Sequence, residues 1–310
     1  MIQKIIAIIV ATFFVVVYMM HPTSATVNQD LLGKVIILDP GHGEESPNVW
    51  KDYYEHIAML DLALKIKPLL EARGARVLLT RQTENDVSLA ARCAMINIWA
   101  LRELADEGRY DIAEIGRLIN IMQSIISDPE TNAPIYFNTP FDYTYERQIH
   151  PDLERIFELQ NDPLISERFL MVSLHSNATG RPVNTSRNGV DIFYMSNDVE
   201  RNENYYANYS NVGRSYYLAN LLIDDISRLG LAKNRVRDNY YFMIREHNVP
   251  AVLVENGFHT NDGDRAKLMD DDFLNRLASA YDKTILFYFA TSDMGNIPAR
   301  LPMGDLFGSL

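Results

Sequence analysis

The chain of 310 residues contains only one cysteine, Cys93, so it cannot form a disulfide within itself. This excludes the small extracellular proteins whose folds depend on disulfides, and the apolar pattern around Cys93 predicts an unreactive thiol in the core. Basic residues are also scarce: 29 Lys and Arg stand against 41 Asp and Glu, which gives a formal net charge of −12. That balance argues against nucleic acid, and against an anionic membrane surface, as the main partner.

Long apolar runs are confined to the N-terminus, where the sixteen residues 5–20, all apolar except Thr12, follow Lys4. A positive start, an apolar stretch and a small-residue exit are typical of a secretory signal, so residues 1–25 are predicted to be a signal peptide cleaved after Ala25. Because sixteen residues fall just short of the usual membrane-spanning length, an uncleaved anchor that tethers the chain through residues 5–20 is the alternative. Both versions place the rest of the chain in the periplasm, the cell wall or the extracellular space.

Short apolar segments rich in β-branched residues alternate with segments of helical period. This alternation predicts one α/β domain over residues 33–290, with a mostly parallel or mixed central sheet flanked by helices. A tail at 291–310, rich in Gly and Pro, is expected to be peripheral. Strands are predicted at 35–38, 76–80, 169–174, 189–195 and 251–254, and helices at 55–73, from 88 onward, at 206–229 and at 273–290.

Apolar residues recur in the segment 55–73 at the spacing of one helix face, and the predicted face includes Ile57 and Leu64. Pro68 is expected to kink or shorten this helix, because proline lacks the backbone N–H that the helix needs. The next helix is expected to begin with Ser88 as its N-cap.

Residues 98–166 differ in composition from the rest of the chain, with thirteen acidic residues against five Arg and no Lys. Helical patterns at 112–126 and 153–159 flank an aromatic stretch at 135–145. We interpret the segment as a helical insertion within the domain. Three roles are open: a regulatory lid, through which a regulatory protein could act; a wall that binds substrate; or a helical hairpin whose aromatic residues form a small core of their own.

Four ionisable residues lie at the ends of predicted elements. His42, His175 and Glu255 follow predicted strands, and Glu55 begins the first helix. Because ligand sites in α/β sheets gather at the carboxyl ends of strands, these four residues are expected to converge. Two imidazoles and one carboxylate are a common catalytic zinc shell, and a further carboxylate can serve as general base. Taken singly, each has a simpler interpretation, as a loop histidine or as an acid favoured at a helix start.

Three of these residues lie in motifs: His42 in LDPGHG at 38–43, His175 in SLHSNA at 173–178 and Glu255 in PAVLVENGF at 250–258. Glu55 follows the first motif, and a further motif, LTR, lies at 79–81. In this order the four motifs resemble the zinc-dependent N-acetylmuramoyl-L-alanine amidases of the amidase_3 type, which are cell-wall hydrolases, over about residues 33–97 and 168–290. The resemblance implies a single α/β domain and one Zn²⁺ held by His42, Glu55 and His175. It also implies that Glu255 is the catalytic residue and activates a zinc-bound water.

The implied reaction is hydrolysis of the amide between N-acetylmuramic acid and L-alanine, so peptidoglycan is the expected substrate. Two alternatives stay open. One is a zinc peptidase that cuts within the stem peptide of peptidoglycan, and the other is a catalytically inactive protein that binds the cell wall or activates another hydrolase. All four motif positions are filled, which favours the amidase over the inactive protein.

The loop after His42 departs from the Gly-rich continuation usual in the family, which makes Glu44, Glu45 and His56 rival ligand candidates. Glu55 is favoured over them because it begins the helix at the place where the family ligand lies.

Two other histidines, His247 and His259, are interpreted as surface or loop residues, with His259 near enough in sequence to Glu255 to touch substrate. Gly41 and Gly43 are expected to clear space so that the histidine between them can face a metal.

Overall fold

The computed structural model describes residues 29–138, 149–196 and 209–292. The predicted signal peptide at 1–25, most of the aromatic stretch at 135–145 and nearly all of the tail at 291–310 lie outside these ranges. Within the described ranges, no helix combines the length and the apolar character that crossing a membrane requires.

A six-stranded sheet forms the centre of the fold. The strands in the described ranges are β1 (Val35–Pro40), β2 (Val49–Trp50), β3 (Tyr53–Tyr54), β4 (Arg76–Leu79), β5 (Phe169–Asn177), β6 (Val190–Tyr194), β7 (Lys233–Asp238) and β8 (Ala251–Phe258), of which β2 and β3 form a separate hairpin. The strand order in the sheet is β4-β1-β5-β8-β6-β7. Strands β4, β1, β5 and β8 are mutually parallel, β6 runs antiparallel to β8, and β7 is parallel to β6. The prediction of a mostly parallel or mixed sheet is therefore confirmed.

Helices cover both faces of this sheet, as the alternating pattern predicts. Ser88 caps the helix that begins at Leu89, as predicted, since its hydroxyl accepts a hydrogen bond from the backbone N–H of Ala91 at 3.2 Å. The helices in the described ranges are α1 (Glu55–Ala72), α2 (Leu89–Asp106), α3 (Ile112–Ser127), α4 (Pro129–Tyr136), α5 (Pro151–Gln160), α6 (Pro163–Arg168), α7 (Val212–Ser227), α8 (Phe242–Arg245), α9 (Asp262–Leu268) and α10 (Asp271–Ser292).

Helix α1 differs from its prediction in two respects. Pro68 does not shorten it, because the helix continues to Ala72. The buried stripe also runs through Met59, Leu62, Ala63, Ile66 and Leu70, whereas Ile57 and Leu64 are 42% and 46% exposed. Ile57 and Leu64 do not follow the spacing of the buried stripe, and they were assigned to the buried face only because they are apolar.

The helices α2, α3, α5 and α8 pack over one face of the sheet and share a core with β1, β5, β6 and β8. The opposite face packs against α1, α7 and α10. Much of the segment 98–166 therefore belongs to the main core. The idea that its aromatic residues form a small separate core is wrong for the described part, since Phe137 is fully buried in the shared core and meets Phe242 edge to face.

Two other elements differ from the sequence-based expectation. Helix α7 begins at Val212 rather than at residue 206, and residues 206–208 lie outside the described ranges. Strand β7 was not predicted, because its sequence KNRVRD is mostly charged. Charged residues suit an edge strand, whose outer side faces no other described strand.

Candidate metal centre and active site

The carboxyl edge of the sheet brings together residues from four distant parts of the chain. His175 and Glu255 are direct neighbours across β5 and β8, in the register that pairs these strands. His42 lies in the loop that follows β1, and Glu55 is the first residue of α1. This is the edge at which ligand sites of α/β sheets usually lie.

His42, Glu55 and His175 form a compact group in which one potential ligand atom from each lies within 4.8 Å of the others. The Nδ1 atom of His175 is 3.0 Å from one carboxylate oxygen of Glu55, and the Nε2 atom of His42 is 3.4 Å from the other. The Nδ1 atom of His42 lies 2.9 Å from the carbonyl oxygen of Ser46, which leaves its Nε2 atom available. Such an outer hydrogen bond is what usually orients a metal-binding histidine.

Glu55 is fully buried, and its ion-pair partners among the described residues are histidine rings rather than Lys or Arg. Its carboxylate accepts hydrogen bonds from the side-chain amide of Asn48 and, at 2.8 Å, from the backbone N–H of Ser176. Burial raises the pKa of Glu55 to about 7, although the nearby His42 opposes the shift. A bound cation would supply the missing positive charge, so this donor set fits Zn²⁺.

Glu255 lies beside this group as a second carboxylate with an unusual environment. Its Oε2 atom is buried and has no hydrogen-bond partner among the described residues. Burial raises the pKa of Glu255 to about 8; His175 opposes the shift, whereas the negative charges of Glu55 and Asp191 add to it. A carboxyl group with a raised pKa next to a metal-ligand set has the properties of a general acid and base.

Gly41 and Gly43 each allow a close approach, but neither one clears space for His42. A Cβ atom on Gly41 would lie 2.4 Å from the ring of His175. One on Gly43 would lie 2.2 Å from the carboxylate of Asp86 and 2.6 Å from its Cα atom. The two glycines therefore make room for His175 and for the neighbouring loop, which corrects the expectation that the space serves His42.

His42 itself has a left-handed backbone with φ of 62°, which is uncommon for a residue other than glycine. Two buried arginines hold the carbonyl groups of this loop. Arg81 donates to the carbonyl oxygens of Pro40 and Gly41, each at 2.9 Å, and Arg92 donates to those of Pro40, at 2.6 Å, and His42. The loop geometry that presents the His42 ring thus depends on residues from outside the loop.

Asp39 neutralises one of these arginines. It is fully buried, lies 3.1 Å from Nη1 of Arg92, and accepts hydrogen bonds from the hydroxyl groups of Thr80 and Ser173. Burial alone would raise the pKa of Asp39, but Arg92 and the two hydroxyls outweigh it and leave the pKa below its ordinary value.

The rival ligand candidates lie outside the metal-ligand group. Glu44 and Glu45 are exposed. His56 is buried, and its Nε2 atom lies 3.8 Å from the carboxylate of Glu84.

The expectation that His247 and His259 are surface residues is wrong. Both lie in loops as predicted, but their exposed fractions are 0% and 1%. His247 forms a 2.8 Å hydrogen bond with the carbonyl oxygen of Met243, and packing of the loop against the core buries the ring. His259 lies beside Glu55, with its Nδ1 atom 3.9 Å from the carboxylate.

Sequence reasoning overlooked three residues that contact this site: Asn48, Tyr53 and Ser176. Asn48 and Ser176 bind the Glu55 carboxylate directly, and Tyr53 donates a 2.9 Å hydrogen bond to the hydroxyl of Ser176. Two of them adjoin predicted ligands in sequence, since Ser176 follows His175 and Tyr53 precedes Glu55 by two residues. Their closeness in sequence to the predicted ligands is the signal that could have identified them.

A family model described as N-acetylmuramoyl-L-alanine amidase (Amidase_3) matches residues 36–102 and 137–286, which leaves α3 and α4 outside the matched ranges. The germination-specific N-acetylmuramoyl-L-alanine amidase of Bacillus subtilis (strain 168) is 24% identical over 262 residues, which are 84% of this chain and 81% of that protein.

Solved structures agree in fold. The N-acetylmuramyl-L-alanine amidase Ami1 of Mycobacterium smegmatis aligns with a TM-score of 0.53 and 16% identity, covering 84% of this chain and 99% of that one. The N-acetylmuramoyl-L-alanine amidase of Clostridium difficile 630 aligns with a TM-score of 0.52 and 17% identity, covering 83% and 97%. Since the family model spans well over half of the sequence, the chain belongs to the Amidase_3 family of N-acetylmuramoyl-L-alanine amidases, which are hydrolases.

Proposed function

We propose that this protein is a zinc-dependent enzyme that cleaves the amide between N-acetylmuramic acid and L-alanine in peptidoglycan. In this proposal His42, Glu55 and His175 hold one Zn²⁺, and Glu255 is the general base. The observation that carries the proposal is the convergence of the three potential ligand atoms within 4.8 Å, beside a carboxylate with an unpartnered oxygen.

Two of the proposed ligands are oriented by residues outside the ligand set. His42 is oriented through Ser46, and Glu55 through Asn48 and Ser176. A zinc ion bound by this set would polarise the scissile carbonyl and lower the pKa of water at the site.

Glu255 then has two proton transfers to perform. Its carboxylate accepts a proton from the attacking water, and the resulting carboxylic acid donates that proton to the departing amine of L-alanine. A group that both accepts and donates a proton near neutral pH works best with a pKa close to that pH. Burial shifts the pKa of Glu255 in that direction, to about 8.

The proposal includes export and a cell-wall location, since peptidoglycan lies outside the cytoplasm. Its support is the signal-like pattern of residues 1–25, which lie outside the described ranges. Cleavage would release the enzyme, and retention of residues 5–20 would tether it to the membrane. Regulation by a protein acting through residues 98–166 remains part of the proposal.

The test is digestion of purified peptidoglycan, followed by mass spectrometry of the products and measurement of bound zinc. We expect free stem peptides that begin at L-alanine. Peptides shortened from within would instead indicate a peptidase, and no products would indicate an inactive binding protein.

Three variants separate the proposed roles. Glu255→Gln should lose orders of magnitude in rate but retain zinc, whereas His175→Ala should lose the zinc itself. Glu45→Gln is the matched control, because Glu45 is an exposed acid in the loop after His42 and lies outside the ligand group. Retention of zinc by His175→Ala, or full activity of Glu255→Gln, would contradict the assignment.

A further inference from the structure

Behind the proposed ligands lies a buried cluster of three polar side chains, Tyr53, Ser176 and His259, which we call the supporting cluster. The tyrosine hydroxyl donates to the Ser176 hydroxyl oxygen at 2.9 Å, and that oxygen lies 3.0 Å from Nδ1 of His259. The ring of His259 also stacks on the ring of Tyr53, with 5.2 Å between centroids. All three residues are at most 2% exposed.

The Ser176 hydroxyl can bond to both rings of the cluster. Its oxygen accepts the tyrosine proton, and a hydrogen bond joins the same oxygen to Nδ1 of His259, with a direction that depends on the tautomer of the ring.

The supporting cluster connects the chain segments that carry two of the proposed ligands. Tyr53 lies two residues before Glu55, and Ser176 directly follows His175. The backbone N–H of Ser176 donates to the Glu55 carboxylate at 2.8 Å, and Nδ1 of His259 lies 3.9 Å from the other carboxylate oxygen.

His259 is itself fixed to the end of β5, because its backbone N–H donates to the carbonyl oxygen of Asn177 at 2.9 Å. It thus holds the β5 end through its main chain, Ser176 through its ring nitrogen and Tyr53 through its ring face.

We infer that His259 is a positioning residue for the metal centre, which fixes Glu55 and His175 relative to each other through Ser176 and Tyr53. This inference rests on the proposed zinc site but concerns residues outside the ligand set. Outer contacts of this kind usually change metal affinity by about 10–100-fold when they are lost.

The experiment compares the zinc affinity of full-length wild-type protein with that of His259→Leu, by competition with a chromogenic chelator. We expect the dissociation constant for zinc to rise about 10–100-fold in His259→Leu. His259→Asn should recover part of the affinity, because the asparagine side-chain amide can form a hydrogen bond with the Ser176 hydroxyl whichever group donates.

The matched control is His247→Leu, which also removes a fully buried loop histidine. Within the described ranges its ring bonds to the carbonyl oxygen of Met243 and to the backbone N–H of Val249, and these partners belong neither to the ligand group nor to the supporting cluster. We expect this control to lower the melting temperature without changing zinc affinity. If both variants lower the melting temperature and leave zinc affinity unchanged, His259 has only a structural role and the inference is wrong.

Two further variants keep the test decisive if His259→Leu does not fold. Tyr53→Phe removes one hydroxyl and should weaken zinc binding, whereas unchanged affinity would overturn the inference. When Ser176 is also replaced by Ala, His259→Asn should bind zinc no more tightly than His259→Leu, because the hydroxyl that the asparagine would contact is absent. A wild-type protein that binds no zinc would refute the proposed function, whereas tight binding by wild type and all variants would refute only the role of His259.

Discussion

Replacement of Arg92 with Met should leave the buried carboxylate of Asp39 without its ion-pair partner and strongly destabilise the fold. Arg92 and Asp39 are 2% and 0% exposed, and their charged atoms lie 3.1 Å apart. Removing one partner of a buried ion pair typically lowers the free energy of unfolding by about 3–5 kcal/mol. Asp39 keeps the hydrogen bonds from Thr80 and Ser173, which places the expected loss towards the lower end of that range.

Asp39→Asn, introduced into the Arg92→Met variant, removes the buried charge that has lost its partner. The double variant should therefore lose less stability than the sum of the two single variants, with a coupling energy of about 1–3 kcal/mol. Arg81 provides the control, because it is equally buried but donates to backbone carbonyls, among them those of Pro40 and Gly41. The coupling of Arg81→Met with Asp39→Asn should be smaller.

The assay is urea denaturation of the metal-free proteins at neutral pH, with unchanged m-values as evidence that the unfolding reaction is the same. Additive effects of Asp39→Asn and Arg92→Met, to within about 0.5 kcal/mol, would refute the reasoning. Such a result would mean that Arg92 stabilises the fold through the carbonyls of the loop and not through the ion pair.

Gly41→Ala should displace the His175 ring, which a Cβ atom would approach to 2.4 Å, so we expect weaker zinc retention in equilibrium dialysis; wild-type retention would contradict this. Metal-free Glu255→Gln should gain stability relative to wild type as pH rises from about 4.5 to about 8, because the raised pKa makes ionisation of Glu255 increasingly unfavourable in the folded state. Thermal unfolding in the presence of a chelator tests this, and a difference that does not change with pH would count against it. Cys93 is fully buried and its thiol pKa is raised by burial, so a thiol reagent should label it only after denaturant is added; rapid labelling of folded protein would show otherwise.

The sequence predicted the candidate site best where an ionisable residue follows the end of a strand. His42, His175 and Glu255 each follow a short apolar run, and a parallel sheet places such residues at one edge regardless of the details of packing. Glu55 was less obvious, since an acid at a helix start is common for other reasons. Its position at the start of the helix, where the ligand of the family lies, distinguished it from Glu44 and Glu45.

Side-chain contacts between distant segments could not be predicted in this way. Burial of His247 and His259 depends on how their loops pack, and both have the composition of ordinary surface loops. Arg92 contacts Asp39 and the carbonyl oxygen of His42, which are about 50 residues away in the chain. Nothing in the sequence indicates that these residues are neighbours in the fold. Strand β7 was overlooked because the alternation of apolar and polar residues is the main signal of a strand, and an edge strand can form without that alternation.

The positions of the proposed ligands along the chain also bear on when the metal can bind during folding. Glu55 and His175 are 120 residues apart in sequence and meet only when β5 has paired with β1. An unfolded chain therefore offers zinc no preformed pair of these ligands, and closing so long a loop is entropically unfavourable. Zinc uptake would thus be a late event that reports on completed tertiary structure, and for an exported chain it would follow translocation.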